Sequence, residues 1–284
     1  MKNNTNMEDT LKFPDISLFR EDSYKTRANS ASFLCKLFSP MGLGFYIPAF
    51  YYVWKSSRDA KKDRFDRLNW FFHSFNYFKC IERFGGTVEV SGMDNLRISE
   101  SSVIFVSNHM STLETLVLPS IILPSKEYLS IVLKEQLLKI PVFKHILKAI
   151  NPIAVTRKNP IDDYKTIIKA GTERLKNDIS VLVFPQTTRT AKFDPEKFNT
   201  IGVKLAKRTK KQIIPVALKT DFWGNGKMIK DLGKIDRKKT VHFAFGKPIT
   251  IEGNGKQQHQ QIIDFIQTKL SKWNDTDTNK KNTQ

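Results

Sequence analysis

Two cysteines in 284 residues, Cys35 and Cys80, are too few for a disulfide framework, and neither sits at metal-ligand spacing. A structural zinc site is therefore not expected, and a reducing compartment fits. No secretory leader is expected, because the first thirty residues are polar, mixed in charge and without an apolar core. No internal repeat is visible. Acid is scarce: 28 Asp+Glu face 47 Lys+Arg, a formal balance of +19. That balance suits anionic partners, whether phosphate-bearing substrates, acidic lipid surfaces or nucleic acid, although a Lys- and Asn-rich composition alone produces it too. The basic residues are scattered and form no recognised module, so nucleic acid is not an expected partner. Long apolar runs are few. The one uncharged stretch of note, Leu37 to Trp54, sits at the lower limit for a membrane span, about 17–25 residues, and Pro40, Gly42, Gly44 and Pro48 interrupt it.

What is present divides the chain into four parts. Residues 1–30 carry only sparse apolar side chains (Leu11, Phe13, Ile16, Leu18, Phe19) and are expected to be weakly ordered. Residues 31–85 read as an aromatic helical hairpin: Phe45, Tyr46, Phe50, Tyr51, Tyr52 and Trp54, then the cations Lys55, Arg58, Lys61, Lys62, Arg64 and Arg67, then a second aromatic helix from Leu68 to Phe84. Rings tolerate the polar–apolar boundary and cations are drawn to anionic lipid by about 1 kcal/mol each, so a monotopic membrane hairpin is the expectation. A helical pair packed on the next domain without lipid contact, or a single span, are the alternatives.

Residues 86–273 alternate strand and helix. Apolar β-branched runs stand at Val103–Val106, Leu129–Val132, Ile153–Val155, Val181–Phe184, Ile213–Leu218 and Val241–Phe245. Helical patterns lie near Leu113–Ile122, Gln136–Ile150, Asp162–Lys176 and Phe198–Lys207, and a closing helix spans Gln261 to Trp273. This pattern predicts an α/β fold with a mixed, largely parallel sheet flanked by helices, preceded by the helical hairpin. The polar tail, 274–284, is expected to be disordered.

Ligands of open α/β sheets bind beyond the carboxyl ends of the strands. The residues there share a theme. Asn108, His109 and Glu114 follow the first run, Lys134 the second, Thr156 and Arg157 the third, and Pro185, Gln186, Thr187, Thr188 and Arg189 the fourth. A carboxylate that accepts from one ring nitrogen of a histidine fixes the tautomer and leaves the other nitrogen free to take a hydroxyl proton. A spacing of five is awkward on a regular helix, so His109 belongs on the loop or first turn and Glu114 inside the helix. Guanidinium offers paired donors to phosphate oxygens, which points Arg157 and Arg189 at a phosphate. No third ligand accompanies the pair, and no metal is expected.

The blocks Asn108-His109-(x4)-Glu114, Lys134-Glu135 before Ile140-Pro141, Ile153 to Arg157, Phe184-Pro185-Gln186-Thr187-Thr188-Arg189 and Ile214-Pro215-Val216 occur in the order and spacing of the four motifs of the glycerolipid acyltransferase family. Over roughly residues 85–250 the chain resembles its bacterial 1-acylglycerol-3-phosphate acyltransferase group. The resemblance implies that His109 is a general base, that Glu114 orients it, and that Lys134, Arg157, Gln186 and Arg189 hold a phosphorylated lysolipid acceptor. Asn108, Thr187 and Thr188 complete the substrate-binding set, and the Pro215 region would shape the acyl tunnel. It implies an acyl-CoA or acyl carrier protein thioester as donor. No cofactor follows, because the thioester carries the activation. It also implies a two-helix element docked on an anionic membrane surface, at the cytoplasmic face of the inner membrane. Two motifs depart from the pattern: Glu114 stands where Asp is common, and Gln186-Thr187 replace Glu-Gly. Transfer to another lipid acceptor, or a non-catalytic basic lipid-binding protein, are the rival readings.

Overall fold

The computed structural model describes residues 16–27, 30–31, 42–186, 188–226 and 231–282. Expectations placed on Leu11, Phe13, Cys35, Pro40 and Thr187 lie outside the described residues. In chain order a 3-10 turn, Ile16–Phe19, precedes β1 (Ser23–Lys25), α1 (Leu43–Lys61), α2 (Arg67–Arg83), β2 (Val88–Ser91) and α3 (Asp94–Ile98). Then follow β3 (Ile104–Ser107), α4 (Leu113–Ile122), β4 (Tyr128–Lys134), α5 (Pro141–Ala149), β5 (Ile153–Val155) and α6 (Pro160–Lys176). The chain closes with β6 (Ile179–Val183), α7 (Ile201–Thr209), β7 (Ile213–Lys219), β8 (Val241–Phe245) and α8 (Lys256–Asn282).

All eight strands join one sheet in the order β1-β2-β8-β7-β3-β6-β4-β5. The five strands β5, β4, β6, β3 and β7 are mutually parallel, whereas β8 runs antiparallel to β7 and β2 follows β8. This is the mixed, largely parallel α/β sheet the alternating pattern predicts. Every residue of β3 and of β7 is buried, which requires cover on both faces of the sheet. Helices α6 and α7 pack on each other and on β5, β6 and β3, with α8 on β7; α4 packs on α2, α2 on α1, and α1 on α5. Contact between α7 and β3 depends on Gly202, where a Cβ would stand 2.4 Å from Val106 Cγ2.

The fold differs from expectation at four places. Residues 16–27 are ordered against the sheet edge: β1 pairs with β2, Phe19 is buried edge-on against Phe78, and Arg97 Nη1 donates to the Phe19 carbonyl at 2.8 Å. Strands β1 and β2 were not foreseen because they are short, at three and four residues, and β1 is mostly exposed. The helix expected over Gln136–Ile150 splits into a 3-10 turn, Glu135–Lys139, and α5, because Pro141 supplies no N–H and so begins a helix instead of continuing one. Finally α8 continues past Trp273 to Asn282, in place of a disordered tail. Lys219 on β7, itself buried, pairs with Asp277 and with Asp221 (3.2 Å), which fastens this extension to the sheet.

The two aromatic segments form α1 and α2, joined by a tight turn in which Asp66 caps α2 by accepting the Asn69 N–H at 2.8 Å. Ile47, Phe50, Tyr51 and Trp54 recur at helical spacing along α1 and are each more than half exposed. Among the described residues no helix is long and apolar enough to cross a membrane.

Candidate active site

Strand β3 ends at Ser107, and the next residues turn across the carboxyl edge of the sheet into α4. Asn108 fixes the start of this turn: its Nδ2 donates to the Leu218 carbonyl at 2.8 Å and its Oδ1 accepts the Leu218 N–H at 2.9 Å, so the side chain imitates a strand partner for β7. The His109 N–H donates to Gln186 Oε1 at 2.8 Å, and the His109 carbonyl accepts the Thr190 N–H at 3.0 Å. Met110 is held through its carbonyl by Asn225 Nδ2 at 3.0 Å. Three separate segments thus pin the backbone of the loop that carries the imidazole.

Glu114 lies in the first turn of α4, fully buried, and serves as the hub. Its Oε1 accepts His109 Nδ1 at 2.9 Å, the Met110 N–H at 2.6 Å and the Ser111 N–H at 2.8 Å. Its Oε2 accepts Ser111 Oγ at 2.9 Å and Thr220 Oγ1 at 2.6 Å. Burial pulls this carboxyl upward, but the His109 ring, Thr220 and the Met110 amide outweigh it and leave it below the usual carboxylate range. An ionised carboxylate can only accept, so in the neutral imidazole His109 Nδ1 carries the proton and Nε2 the lone pair. The imidazole is about 14% exposed and stacks on Phe184 with ring centroids 4.3 Å apart. Its Nε2 has no partner among the described residues and is free to act as a base toward a hydroxyl.

Arg189 brings a cation to the same loop. Its Nη1 donates to Thr112 Oγ1 and meets Asp231 Oδ1 at 2.5 Å, while Thr112 Oγ1 donates to the same Asp231 oxygen. Thr112 is only two residues before Glu114. Thr188 is exposed beside Arg189. Lys134 and Arg157 end β4 and follow β5, two and three strands from β3, which is about 10 and 14 Å at ordinary strand spacing. Their backbones share the edge with that of His109 at this separation. Arg157 adopts a left-handed backbone, φ 57°, held where Asp163 accepts the Thr156 and Arg157 N–H groups at 2.9 and 2.8 Å.

The structure therefore brings His109, Glu114, Asn108, Gln186 and Arg189 together and sets Lys134 and Arg157 further along the rim. Asn108 and Gln186, expected to touch substrate, are buried and spend their amides on the protein; Gln186 Nε2 donates to Thr190 Oγ1 at 2.8 Å. Pro215 is buried inside β7, opposite Val106 and under Gly246. Residue reading missed Thr220, Phe184 as a ring platform, and Asp231. Thr220 lies 106 positions from Glu114. No local pattern joins them.

An imidazole held through Nδ1 by a buried carboxylate, with Nε2 open and a guanidinium bonded to the same loop, stands at the carboxyl edge of a parallel sheet, an arrangement chemically able to assist attack by a hydroxyl. Residues 87–219 match the model of the Acyltransferase family. Over 168 residues the chain is 33% identical to a 1-acyl-sn-glycerol-3-phosphate acyltransferase of Pseudomonas aeruginosa, across 59% of this chain. The aligned part spans 61% of that protein's length. The crystal structure of the 1-acyl-sn-glycerophosphate (LPA) acyltransferase PlsC from Thermotoga maritima superposes with a TM-score of 0.61 at 19% identity, covering 84% of this chain and 97% of that one. That second likeness shows the shared fold.

Proposed function

We propose that this protein transfers a fatty acyl group from a thioester, acyl-CoA or acyl carrier protein, to the free hydroxyl of 1-acyl-sn-glycerol-3-phosphate or a close lysolipid. The observation that carries the reading is the His109 Nδ1–Glu114 Oε1 bond at 2.9 Å, which leaves Nε2 as the open base. In this reaction Nε2 takes the acceptor's hydroxyl proton as the oxygen attacks the thioester carbonyl. The C–O bond forms, the tetrahedral intermediate collapses, the C–S bond breaks, and the leaving thiolate recovers the proton from the imidazolium. Glu114 stabilises that imidazolium without taking the proton. General-base assistance of this kind contributes about 10²–10⁴-fold.

The family match of residues 87–219 and the identity to the Pseudomonas enzyme support acyl transfer to a glycerolipid. The acceptor's phosphate is read from Arg189 beside the base, with Lys134 and Arg157 further along the rim. The exposed row Ile47, Phe50, Tyr51 and Trp54, with Lys55, Arg58, Lys61 and Lys62 following, suits an anionic leaflet, and the cytoplasmic face of the inner membrane is the proposed location. Purified protein given acyl-CoA and 1-acyl-sn-glycerol-3-phosphate should release free thiol and form the diacyl product, and His109→Ala should remove this. Equal thiol release by His109→Ala would end the reading; lipid binding without any turnover would favour a non-catalytic lipid-binding protein.

A further inference from the structure

Arg189 Nη1 and Thr112 Oγ1, the latter three residues along the chain from His109, form a pair of donors, and a protein carboxylate already occupies them. That carboxylate, Asp231, is half exposed at its side chain, so a solvent-borne anion can reach the same donors. Its backbone is firmly held. Trp223 Nε1 donates to the Asp231 carbonyl at 3.2 Å, Tyr46 Oη on α1 donates to the Gly233 carbonyl, and the Gly224 N–H donates to the Lys234 carbonyl at 3.0 Å. At Gly233 a Cβ would stand 1.7 Å from the Gly224 carbonyl oxygen, so the two limbs of this loop approach as closely as backbone allows. These bonds place the acid at the Arg189–Thr112 pair, with half of its side chain open to solvent. Burial draws the Asp231 carboxyl upward, yet the bonds from Thr112 and Arg189 prevail and keep it ionised at neutral pH.

We propose that Asp231 is a built-in stand-in for the acceptor's phosphate: it neutralises Arg189 in the empty protein and is displaced by a phosphate monoester, so it sets acceptor affinity and favours phosphate-bearing over neutral lysolipids. The inference rests on the acyl-transfer reading for its lipid, but not for its anion. A phosphate presents more oxygens and more negative charge than a carboxylate to the same guanidinium and hydroxyl, so exchange is favourable, whereas a neutral glycerol headgroup cannot compete for the pair. Displacement swings Asp231 away and leaves Thr112 Oγ1 and Arg189 on the phosphate, within reach of a hydroxyl presented to His109 Nε2. The same carboxylate keeps an unliganded guanidinium from standing uncompensated beside the loop.

Asp231→Asn keeps size and the Thr112 contact but removes the competing charge. Binding of inorganic phosphate, followed as a rise in Tm at matched ionic strength, should strengthen about three- to tenfold in Asp231→Asn. Asp231→Glu should return toward the parent, and Arg189→Gln should abolish the difference. In turnover, the KM for 1-acyl-sn-glycerol-3-phosphate should fall in Asp231→Asn by a similar factor, more than kcat moves, with the KM for 1-acylglycerol unmoved. Unchanged or weaker phosphate binding in Asp231→Asn would overturn the stand-in role, as would an equal KM change for the neutral acceptor. Parent protein that acylates no lysolipid would end the acyl-transfer reading alone, because the phosphate titration still decides the role of Asp231.

Discussion

Replacing Glu114 by Gln tests the centre of the site with almost no change of shape. Five groups donate to this carboxylate: the His109 ring, the Met110 and Ser111 amides, and the Ser111 and Thr220 hydroxyls. A Gln amide has one accepting oxygen. Backbone N–H groups cannot reverse, so the oxygen must take the Oε1 position, and the new NH₂ faces Ser111 Oγ and Thr220 Oγ1, which can rotate to accept. All five contacts then lose their charge assistance, which roughly halves each one, and the second Ser111 N–H contact, 3.0 Å to Oε2, is lost. A stability loss of about 2–4 kcal/mol follows. The imidazolium formed during attack loses its counter-charge, so kcat should fall about 10²–10⁴-fold. Urea unfolding measures the first quantity, and thiol release from acyl-CoA at saturating acceptor measures the second. His109→Ala should lose as much activity with less loss of stability, and the double variant should be no slower than His109→Ala, since the two act as one unit. A kcat within tenfold of the parent for Glu114→Gln would refute the argument that this charge supports the base.

Thr220→Val removes the 2.6 Å hydroxyl donor to Glu114 Oε2 and should cost about 1.5–3 kcal/mol in urea unfolding, with kcat reduced several-fold. Gly202→Ala forces a methyl group to within 2.4 Å of Val106 Cγ2; the strain exceeds the helix-propensity gain, and a net loss of about 1–2 kcal/mol is expected by thermal unfolding. Glu89 on β2 is held down to about 2, chiefly by His242 at 3.3 Å and, against some burial, by Lys25 at 2.9 Å. Because its folded value is lowered, its contribution is complete above the ordinary value near 4.5 and is lost as pH falls from there toward 2. After discounting for solvent screening this amounts to about 1–2 kcal/mol, which Glu89→Gln should remove at neutral pH while matching the parent at pH 2.

Much of the architecture was legible because buried parallel strands advertise themselves. Runs such as Val103–Val106 and Ile213–Leu218 need apolar side chains on both faces, and their helices carry apolar stripes. His109 and Glu114 were legible for a related reason: both follow a strand exit, and the start of α4 falls between them. Edge strands leave no such trace. The order found along residues 16–27, and along α8 beyond Trp273, comes from partners distant in sequence: β2 pairing with β1, Phe78 against Phe19, Lys219 against Asp277.

By itself, then, the amino-acid order determined the alternation of strand and helix, the edge at which polar residues gather, and the pairing of His109 with Glu114, because each depends on neighbours within a few residues. Tertiary structure alone decided which of the gathered residues stay open and which are buried against the protein. Asn108 and Gln186 turn inward because a buried amide must satisfy both its donor and its acceptor. Thr220 and Asp231 reach the site only because β7 lies beside β3 in the sheet, a proximity that spacing along the chain does not encode.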